Sequence, residues 1–326
     1  MNRLYPLKFI PQYKDKIWGG KKLREFLGKA GASDTVGESW EISGYNDSIS
    51  VVENGFLAGN DLQELIEVYM GDLVGDKIFD RFGYEFPILI KFIDATEKLS
   101  IQVHPNDELA QRRYNTHGKT EMWYIIQAEE NSELIVGFNK ALDKKTYISH
   151  LENKTLDDIL NYVKIYAGDV VFLPAGRVHA IGAGVLLAEI QQTSDLTYRI
   201  YDFDRLDAAG RPRELHTELA VDAIDYNYYK NIKTEYSCQL NEPSELTKCK
   251  YFTVNMLHFN ERIERDFLSL DSFVIYMCLD GEFNIDYYEN ETIKIRKGES
   301  VLIPAELKNI YLNPLKEARI LEIYID

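Results

Sequence analysis

The sequence predicts a mainly β protein that contains two copies of one β-module and a small helical insertion. Three observations lead to this prediction. Short apolar runs bounded by glycine and proline recur along most of the 326 residues, which is typical of strands and turns. One eight-residue pattern occurs twice, which indicates an internal duplication. Polar residues also stand two apart inside apolar runs, so that they share one face of a strand.

The repeated pattern is the strongest of these signals. Gly168–Ala175 (GDVVFLPA) and Gly298–Ala305 (GESVLIPA) each place an acidic residue after the glycine and a proline six positions after it. The preceding segments, VKIYAGD and IKIRKGE, also match. Five residues after the proline stand His179 in the first copy and Asn309 in the second. The pattern GD-(apolar)-PAG-x-x-H resembles the second motif of cupins, which are small jelly-roll barrels. The resemblance implies a tandem cupin with one active barrel and one degenerate barrel.

Local patterns predict the other elements in chain order. Short strands and turns are expected over residues 1–60, and a helix is expected after the N-cap residue Asp61. The segments FPILIKFIDATEKLSIQVHP, EMWYIIQA and SELIVGF are typical of strands. Residues 142–163 are predicted to be helical, with a break near Asn153, and to form the insertion. The predicted domains are residues 1–249, with the active barrel, and residues 250–326, with the degenerate one.

Composition limits the classes of partner. There are 53 acidic and 37 basic residues, which give a formal net charge of −16. Such a surface repels nucleic acid and anionic lipid, so neither is expected as a partner. Three cysteines without a CxxC pair fit a reducing compartment. With no signal peptide and no long apolar segment in the sequence, we expect a soluble cytoplasmic protein. Nothing suggests an extended interface, and a monomer is expected.

Four polar residues are candidate metal ligands, because alternate side chains of a jelly roll point inward. They are Gln102 and His104 in SIQVHPND, Glu121 in GKTEMWYII and His179 in PAGRVHAIG. Two imidazoles and a carboxylate form a common catalytic zinc set, although Fe, Mn or Ni would also accept them. Gln102 is an unusual ligand, and its alternative role is a hydrogen bond to a ligand.

Four motifs together resemble the class I, zinc-dependent mannose-6-phosphate isomerases, most nearly their short bacterial form. The motifs are SIQVHPND, GKTEMWYII, GDVVFLPAGRVHAI and AEIQQTSDLTYRIYDFDR. The resemblance covers roughly residues 5–326 in layout. It implies interconversion of mannose 6-phosphate and fructose 6-phosphate, one Zn²⁺ per chain, and a sugar phosphate as the small-molecule partner.

The resemblance also assigns functional residues. It implies that Gln102, His104, Glu121 and His179 bind the metal. The other family positions that this sequence matches are Trp18, Glu38, Trp40, Ser100, Lys119, Glu189, Arg199 and Arg205. Two departures stand out. Longer members have a tyrosine where this chain has Ile181. Most of the helical domain of those longer members is also missing from this chain.

Aldose–ketose isomerisation moves a proton between C1 and C2 and needs stabilisation of an enediolate. Arg199 and Lys119 are expected to stabilise the developing charge, and Arg199 also suits a phosphate. Ser100 and Arg205 are candidate phosphate contacts, and Glu189 is the candidate base, with Lys119 or a metal-bound water as alternatives.

Trp18, Glu38 and Trp40 are expected at the sugar site, or the tryptophans belong to the core. Glu189 has an alternative role as a partner of the neighbouring cations.

Two other functions remain as alternatives. A cupin oxidoreductase usually has an HxH pair, and here the first position is Gln102. A non-catalytic sugar-binding cupin has no use for cations beside a buried metal, because such cations cost desolvation energy.

Overall fold

The computed structural model describes residues 3–206 and 210–326. In the first of these ranges the strands are β1 Leu7–Lys8, β2 Gln12–Asp15, β3 Val36–Ile42, β4 Gly44–Tyr45, β5 Ser48–Ile49, β6 Ile88–Ala95, β7 Ile101–Val103, β8 Glu121–Ala128, β9 Glu133–Phe138, β10 Leu160–Lys164, β11 Val170–Leu173, β12 His179–Ile181, β13 Val185–Gln192 and β14 Tyr198–Tyr201. In the second they are β15 Pro243–Lys248, β16 Thr253–Phe259, β17 Ile263–Asp266, β18 Val274–Tyr287, β19 Glu291–Arg296, β20 Ser300–Ile303 and β21 Asn309–Tyr324.

Short helices connect these strands. They are α1 Lys22–Glu25, α2 Leu62–Tyr69, α3 Gly71–Val74, α4 Asp76–Phe82, α5 Asp107–Tyr114, α6 Lys144–Glu152 and α7 Thr217–Ala223, with 3-10 turns at Gly55–Leu57 and Leu156–Ile159. The predicted N-cap is confirmed, because Asp61 and Glu64 form a capping box at the start of α2. No helix in the described part of the chain is both long and apolar enough to cross a membrane.

Two sheets form the metal-site module. One has the strand order β10-β9-β12-β7-β14 and the other has the order β11-β8-β13-β6-β3-β2. Apolar residues from both sheets, among them Trp123, Leu187 and Ile181, form one buried cluster, so the sheets pack face to face.

The six-stranded sheet is buried on both faces. Alternate residues of β13, such as Leu186 and Ala188, point away from the sandwich and pack in a cluster with Val254 and Ile323 of the C-terminal sheet. This explains why VLLAEIQQ is a continuous buried run instead of an alternating one.

The C-terminal strands form one eight-stranded sheet with the main order β1-β20-β18-β21-β16-β15. Register shifts near Cys278 and Gly281 interrupt the pairing of the long strands β18 and β21. Such irregularities bend strands, and the sheet curls around a second apolar core that includes Phe259 and Phe283.

The repeated pattern has the same backbone layout in both modules. Gly168 and Gly298 have positive φ angles of 92° and 80°, which glycine adopts readily. Each glycine precedes a short strand, β11 or β20, and the next strand begins at His179 or Asn309. The mainly β prediction is confirmed, while the description as two complete jelly rolls stays a prediction.

The helical insertion is only partly as predicted. The helix α6 ends at Glu152, and its C-cap residue is Asn153, as the predicted break requires. The second predicted helix is wrong beyond one 3-10 turn, because residues 160–164 form β10 and pair with β9. The run LNYVK ends in β-favouring residues, and pairing with an existing sheet edge decides its conformation.

Sheet pairing also bears on the predicted domain boundary at 249/250. Strand β15 (243–248) pairs with β16 in the C-terminal sheet, and β1 near the N-terminus pairs with β20. We propose that the C-terminal module begins at residue 243 and that β1, from the N-terminal segment, is part of its sheet.

Candidate metal centre and active site

A row of three predicted residues crosses the five-stranded sheet. His179 on β12 is directly opposite Gln102 on β7, and Gln102 is directly opposite Arg199 on β14. Neighbouring strands lie about 4.8 Å apart, so the imidazole, the amide and the guanidinium start from adjacent positions on one sheet. Residues far apart in the sequence are thus brought together by strand register.

Two imidazoles, those of His179 and His104, meet a carboxylate from the opposite sheet. Glu121 opens β8, and its Oε1 lies 3.2 Å from His179 Nε2. Its Oε2 lies 3.5 Å from Nε2 of His104, which follows β7 directly. One ligand atom from each of these residues lies within 4.8 Å of the others, and all three residues are buried.

Backbone carbonyls orient both imidazoles. His104 Nδ1 lies 2.9 Å from the Leu196 carbonyl oxygen, and His179 Nδ1 lies 2.9 Å from that of Arg177. A carbonyl can only accept, so Nδ1 carries the proton in the neutral ring and Nε2 presents its lone pair to the centre. This is the tautomer that a metal ligand requires.

The protonation states of the two histidine rings also suit a bound cation. Burial lowers the pKa of His104 well below its usual value and that of His179 to about 4, so both rings are neutral at pH 7. Burial raises the pKa of Glu121 to about 7, although Lys119 opposes the shift. Within the described part of the chain, the buried Glu121 Oε1 has no hydrogen-bond partner. Two imidazole nitrogens and an orphaned buried carboxylate oxygen fit a divalent metal.

Gln102 lies at the edge of this group. Its Nε2 is 3.4 Å from His179 Nε2. Rotating the amide by 180° would exchange its nitrogen and oxygen, which are equivalent in shape. Either orientation leaves Gln102 next to the candidate ligands, so its assignment as a ligand stays a prediction.

A chain of alternating buried charges extends from the centre along the six-stranded sheet. Lys119 hydrogen-bonds Glu121 Oε2 and lies 3.8 Å from Glu189 Oε1. Lys91 lies 3.4 Å from Glu189 Oε1 and 3.7 Å from Glu38 Oε2. Burial alone would raise the pKa of Glu189 and of Glu38, but the lysines outweigh it and lower both. Both carboxylates are therefore ionised at neutral pH.

Two tryptophan side chains donate hydrogen bonds to carboxylates of this charge network. Trp123 donates a 2.9 Å hydrogen bond to Glu189 Oε2, and Trp40 donates one of 2.7 Å to Glu38 Oε2. Trp40 thus orients Glu38 from the edge of its ring, and Lys91 Nζ lies over the ring, 4.7 Å from its centroid.

A cavity of about 280 Å³ opens onto these groups. Seven of the predicted site residues line it: Trp18, Glu38, Ser100, Gln102, Lys119, Glu189 and Arg199. Ile181, the position where longer family members have tyrosine, lines it as well. Sequence reasoning missed further polar lining residues, namely Lys16, Lys91, Asp195, Thr197 and Arg213.

The predicted phosphate contact Arg205 lies outside this lining, and Arg213 lies within it. Both guanidinium groups bind the buried carboxylate of Asp202, Arg205 at 2.6 Å and Arg213 at 2.5 and 2.7 Å. The backbone returns after β14, because His216 N donates to the carbonyl oxygen of Arg199 at 2.7 Å. A fixed offset from Arg199 along the sequence therefore does not locate the second cation of the cavity, because the described segments on either side run back past each other, with an antiparallel bridge between Leu206 and Pro212.

One missed residue did have a signal in the sequence. Lys91 is a single cation in the apolar strand PILIKFIDA, and a buried lysine needs a carboxylate partner. Arg213 has no comparable signal among the basic residues of GRPREL.

The sandwich, the buried His–Glu–His group and the cation-lined cavity define a metal-dependent enzyme of the cupin class with room for an anionic substrate. Comparisons with known proteins agree. The family model for the type I phosphomannose isomerase catalytic domain matches residues 6–145, and that for the mannose-6-phosphate isomerase cupin domain matches residues 243–323.

Whole-chain relatives carry the same names. The mannose-6-phosphate isomerase ManA of Bacillus subtilis is 36% identical over 96% of this chain and 97% of its own length. The mannose-6-phosphate isomerase of Streptococcus mutans is 34% identical over 93% of this chain and 94% of its own length.

A crystal structure of the Bacillus subtilis mannose 6-phosphate isomerase superposes with a TM-score of 0.88 and 33% identity, and it covers 99% of this chain and all of that one. The chain belongs to the type I phosphomannose isomerase family, which is metal-dependent. The sequence-based assignment to this family is confirmed.

Proposed function

We propose that this protein interconverts mannose 6-phosphate and fructose 6-phosphate with the help of one bound Zn²⁺. The single observation that carries the proposal is the buried group of His104, Glu121 and His179. These three residues are not in the cavity lining themselves, but they contact Gln102 and Lys119, which line the cavity together with Arg199 and Arg213. Membership of the type I phosphomannose isomerase family supports the substrate.

The two imidazoles and Glu121 would hold the metal, with Gln102 next to them. Nitrogen and carboxylate donors in this number favour zinc over harder cations. When bound, a divalent cation supplies Lewis-acid polarisation of the oxygens on C1 and C2 of the open sugar.

Arg199 and Arg213 are proposed to bind the phosphate. Arg199 Nη1 donates to the Glu214 carbonyl oxygen at 2.7 Å, which fixes the guanidinium. Among the described residues, its buried Nε has no hydrogen-bond partner. Asp202 aligns Arg213 by two hydrogen bonds. Two fixed guanidinium groups match a phosphate in shape and charge, and Ser100 adds a hydroxyl to the same cavity. Arg205 would act through Asp202.

Glu189 is proposed to move the proton between C1 and C2. Its Oε2 is held by Trp123, whereas its Oε1 meets Lys91 and Lys119 only at 3.4 and 3.8 Å. That oxygen is therefore free of a short hydrogen bond to these lysines, and the cations keep it ionised. Lys119 is proposed to stabilise the negative charge that develops on the substrate, and Trp18 to form an apolar wall for the sugar.

Asp195 is the comparison residue for the base, because it lines the same cavity but is exposed. Glu189→Gln should lower kcat by about a thousandfold, within the range for loss of a general base, and should leave KM and zinc content nearly unchanged. Asp195→Asn should lower kcat less. The opposite ranking would move the role of the base to Asp195.

The function itself is tested with purified protein and added Zn²⁺. Mannose 6-phosphate should be converted to fructose 6-phosphate, and EDTA should abolish the conversion. Metal binding without turnover would favour a sugar-binding cupin, and O₂ consumption with Fe²⁺ would favour an oxidoreductase. The expectations of a monomer and of a cytoplasmic location stay predictions, and sedimentation velocity tests the first.

A further inference from the structure

Besides the apolar contact between the sheets, one turn of the C-terminal module hydrogen-bonds the chain segment next to the candidate ligands. Residues 249–252 connect β15 to β16, and Tyr251 in this turn donates a 2.5 Å hydrogen bond to Asp107 Oδ2. Lys250 also approaches this oxygen, at 3.2 Å, but two-thirds of its side chain is exposed (67%). The tyrosine hydroxyl is therefore the more firmly placed of the two contacts.

The other oxygen of Asp107 supports the segment that enters β8. Asp107 Oδ1 accepts hydrogen bonds from the backbone N–H of Gly118 at 3.1 Å and from Gln192 Nε2 at 2.9 Å. The Gln192 side chain in turn accepts from the backbone N–H of Thr120 at 2.9 Å through Oε1. Gly118 and Thr120 are thus held on either side of Lys119.

This network determines the direction of the Gln192 amide. With Nε2 donating to Asp107, Oε1 must face Thr120. Glutamate at position 192 would place a second negative charge against Asp107. The second glutamine of the motif AEIQQTSD therefore has a role that the metal site and the cavity do not explain.

The residues so held lie directly beside the candidate ligands. Thr120 precedes Glu121, and Asp107 lies three positions after His104. The backbone N–H of Lys119 also donates to the carbonyl oxygen of Pro105 at 3.2 Å. One carboxylate consequently ties together the chain segments that carry two ligands and the proposed charge-stabilising lysine.

We propose that Tyr251 is a positioning residue of the active site, and that through Asp107 and Gln192 it fixes the backbone of residues 118–121 on which Lys119 and Glu121 stand. The degenerate C-terminal module would then contribute to metal binding and rate without supplying a ligand. This inference rests on the metal site in the proposed function.

The chemistry of Asp107 supports this role. Burial alone would raise its pKa, but hydrogen bonds from Tyr251, Gln192 and Gly118 lower it to about 2. An ionised carboxylate that accepts several hydrogen bonds forms stronger bonds than a neutral acceptor. Loss of the tyrosine hydroxyl removes one of them and allows the carboxylate to rotate away from Gly118.

The test is Tyr251→Phe, which removes the hydroxyl and keeps the ring. Zinc affinity is measured by competition with a chromogenic chelator, and kcat is measured per bound zinc. We expect roughly tenfold weaker zinc binding, typical for loss of a contact that orients a ligand, and a fall of about fivefold in kcat with little change in KM. Zinc affinity and kcat both within twofold of the parent would overturn the proposal.

Tyr288→Phe is the matched control. Tyr288 also reaches across to the N-terminal segment, where its hydroxyl donates to the Leu4 carbonyl oxygen at 2.9 Å, and it is somewhat more exposed than Tyr251, at 39%. This variant should lose comparable thermal stability while zinc affinity and kcat stay at the parental values. Equal losses of affinity in the two variants would show a general effect of stability and would also overturn the proposal.

A double-mutant cycle with Asp107→Ala identifies the route. If Tyr251 acts through Asp107, the double variant binds zinc no more weakly than Asp107→Ala alone, and additive losses would contradict that route. Because zinc affinity needs no substrate, these outcomes hold even if the parent binds zinc and fails to isomerise mannose 6-phosphate, a result that would refute only the proposed function.

Discussion

Replacing Lys91 with methionine should destabilise the protein in a pH-dependent way. Its ammonium group lies between Glu38 and Glu189, at 3.7 and 3.4 Å, and only 3% of the residue is exposed. Methionine keeps the length and most of the apolar stem. The substitution therefore removes one positive charge and leaves two buried carboxylates without it.

The magnitude follows from the titration of Glu38. Burial alone would raise its pKa, but Lys91 and then Lys16 lower it from the usual 4.5 to about 2. A carboxyl whose pKa is lowered from 4.5 to about 2 on folding contributes about 3 kcal/mol to the free energy of unfolding at neutral pH. Breaking a buried ion pair by removing one partner costs about 3–5 kcal/mol. We expect Lys91→Met to lose about 3 kcal/mol at pH 7.

The sign of the pH dependence follows from the same shift. In the parent, the depressed pKa contributes stability above about pH 4.5, the usual value for the group, and this stability is lost as the pH falls towards 2. In Lys91→Met, burial raises the carboxylate pKa values, so the cost is present at pH 7 and is relieved on acidification. The difference between parent and variant should therefore shrink from pH 7 to pH 4.5.

Urea unfolding at both pH values, with EDTA to remove metal, measures this difference. Lys16→Met is the control, because Lys16 contacts the same carboxylate at 2.9 Å but a third of its side chain is exposed (33%). It should lose less than about 1 kcal/mol. Equal losses in the two variants, or a Lys91→Met loss that does not change with pH, would refute this account.

Three further outcomes are expected. Arg213→Gln should raise KM for mannose 6-phosphate at least tenfold with zinc content unchanged, whereas Arg205→Gln should raise KM less. The reverse order in steady-state kinetics would restore Arg205 as the phosphate contact that the sequence predicts. Glu121→Gln should weaken zinc binding at least a hundredfold in chelator competition, and retained affinity would remove it from the ligand set. Arg265→Met should lose about 3–5 kcal/mol in urea unfolding, because it leaves the fully buried Glu322 without its bidentate partner. Zinc affinity should stay unchanged, and a change in affinity would contradict a purely structural role of this ion pair.

Several parts of the fold and site could be predicted because they depend on short-range patterns. A glycine six residues before a proline identified equivalent turns at Gly168 and Gly298. Alternation along β7 placed Ser100 and Gln102 together on the cavity wall. The N-cap at Asp61 followed from its own side-chain chemistry.

Other parts could not be predicted because distant chain segments decide them. Residues 160–164 form a strand because β9 offers them a partner, although their apolar spacing also suits a helix. Arg213 lines the cavity and Arg205 does not, because the antiparallel bridge between Leu206 and Pro212 brings a later segment of the chain back to this region. The alternating charges from Glu38 to Glu121 need four strands side by side, β3, β6, β13 and β8, and the sequence of one strand does not determine its neighbours.

By itself, the sequence determined the family, the mainly β class and the identities of the candidate ligands, and its repeated glycine–proline pattern predicted the duplicated module. Only the tertiary structure decided which atoms meet. Register across β12, β7 and β14 aligned His179, Gln102 and Arg199, and packing of the two sheets brought Glu121 to the imidazoles. The physical reason is that side-chain type and local periodicity are properties of neighbouring residues, whereas a metal site and its charge network depend on distances of a few ångströms between segments that sequence separation does not constrain.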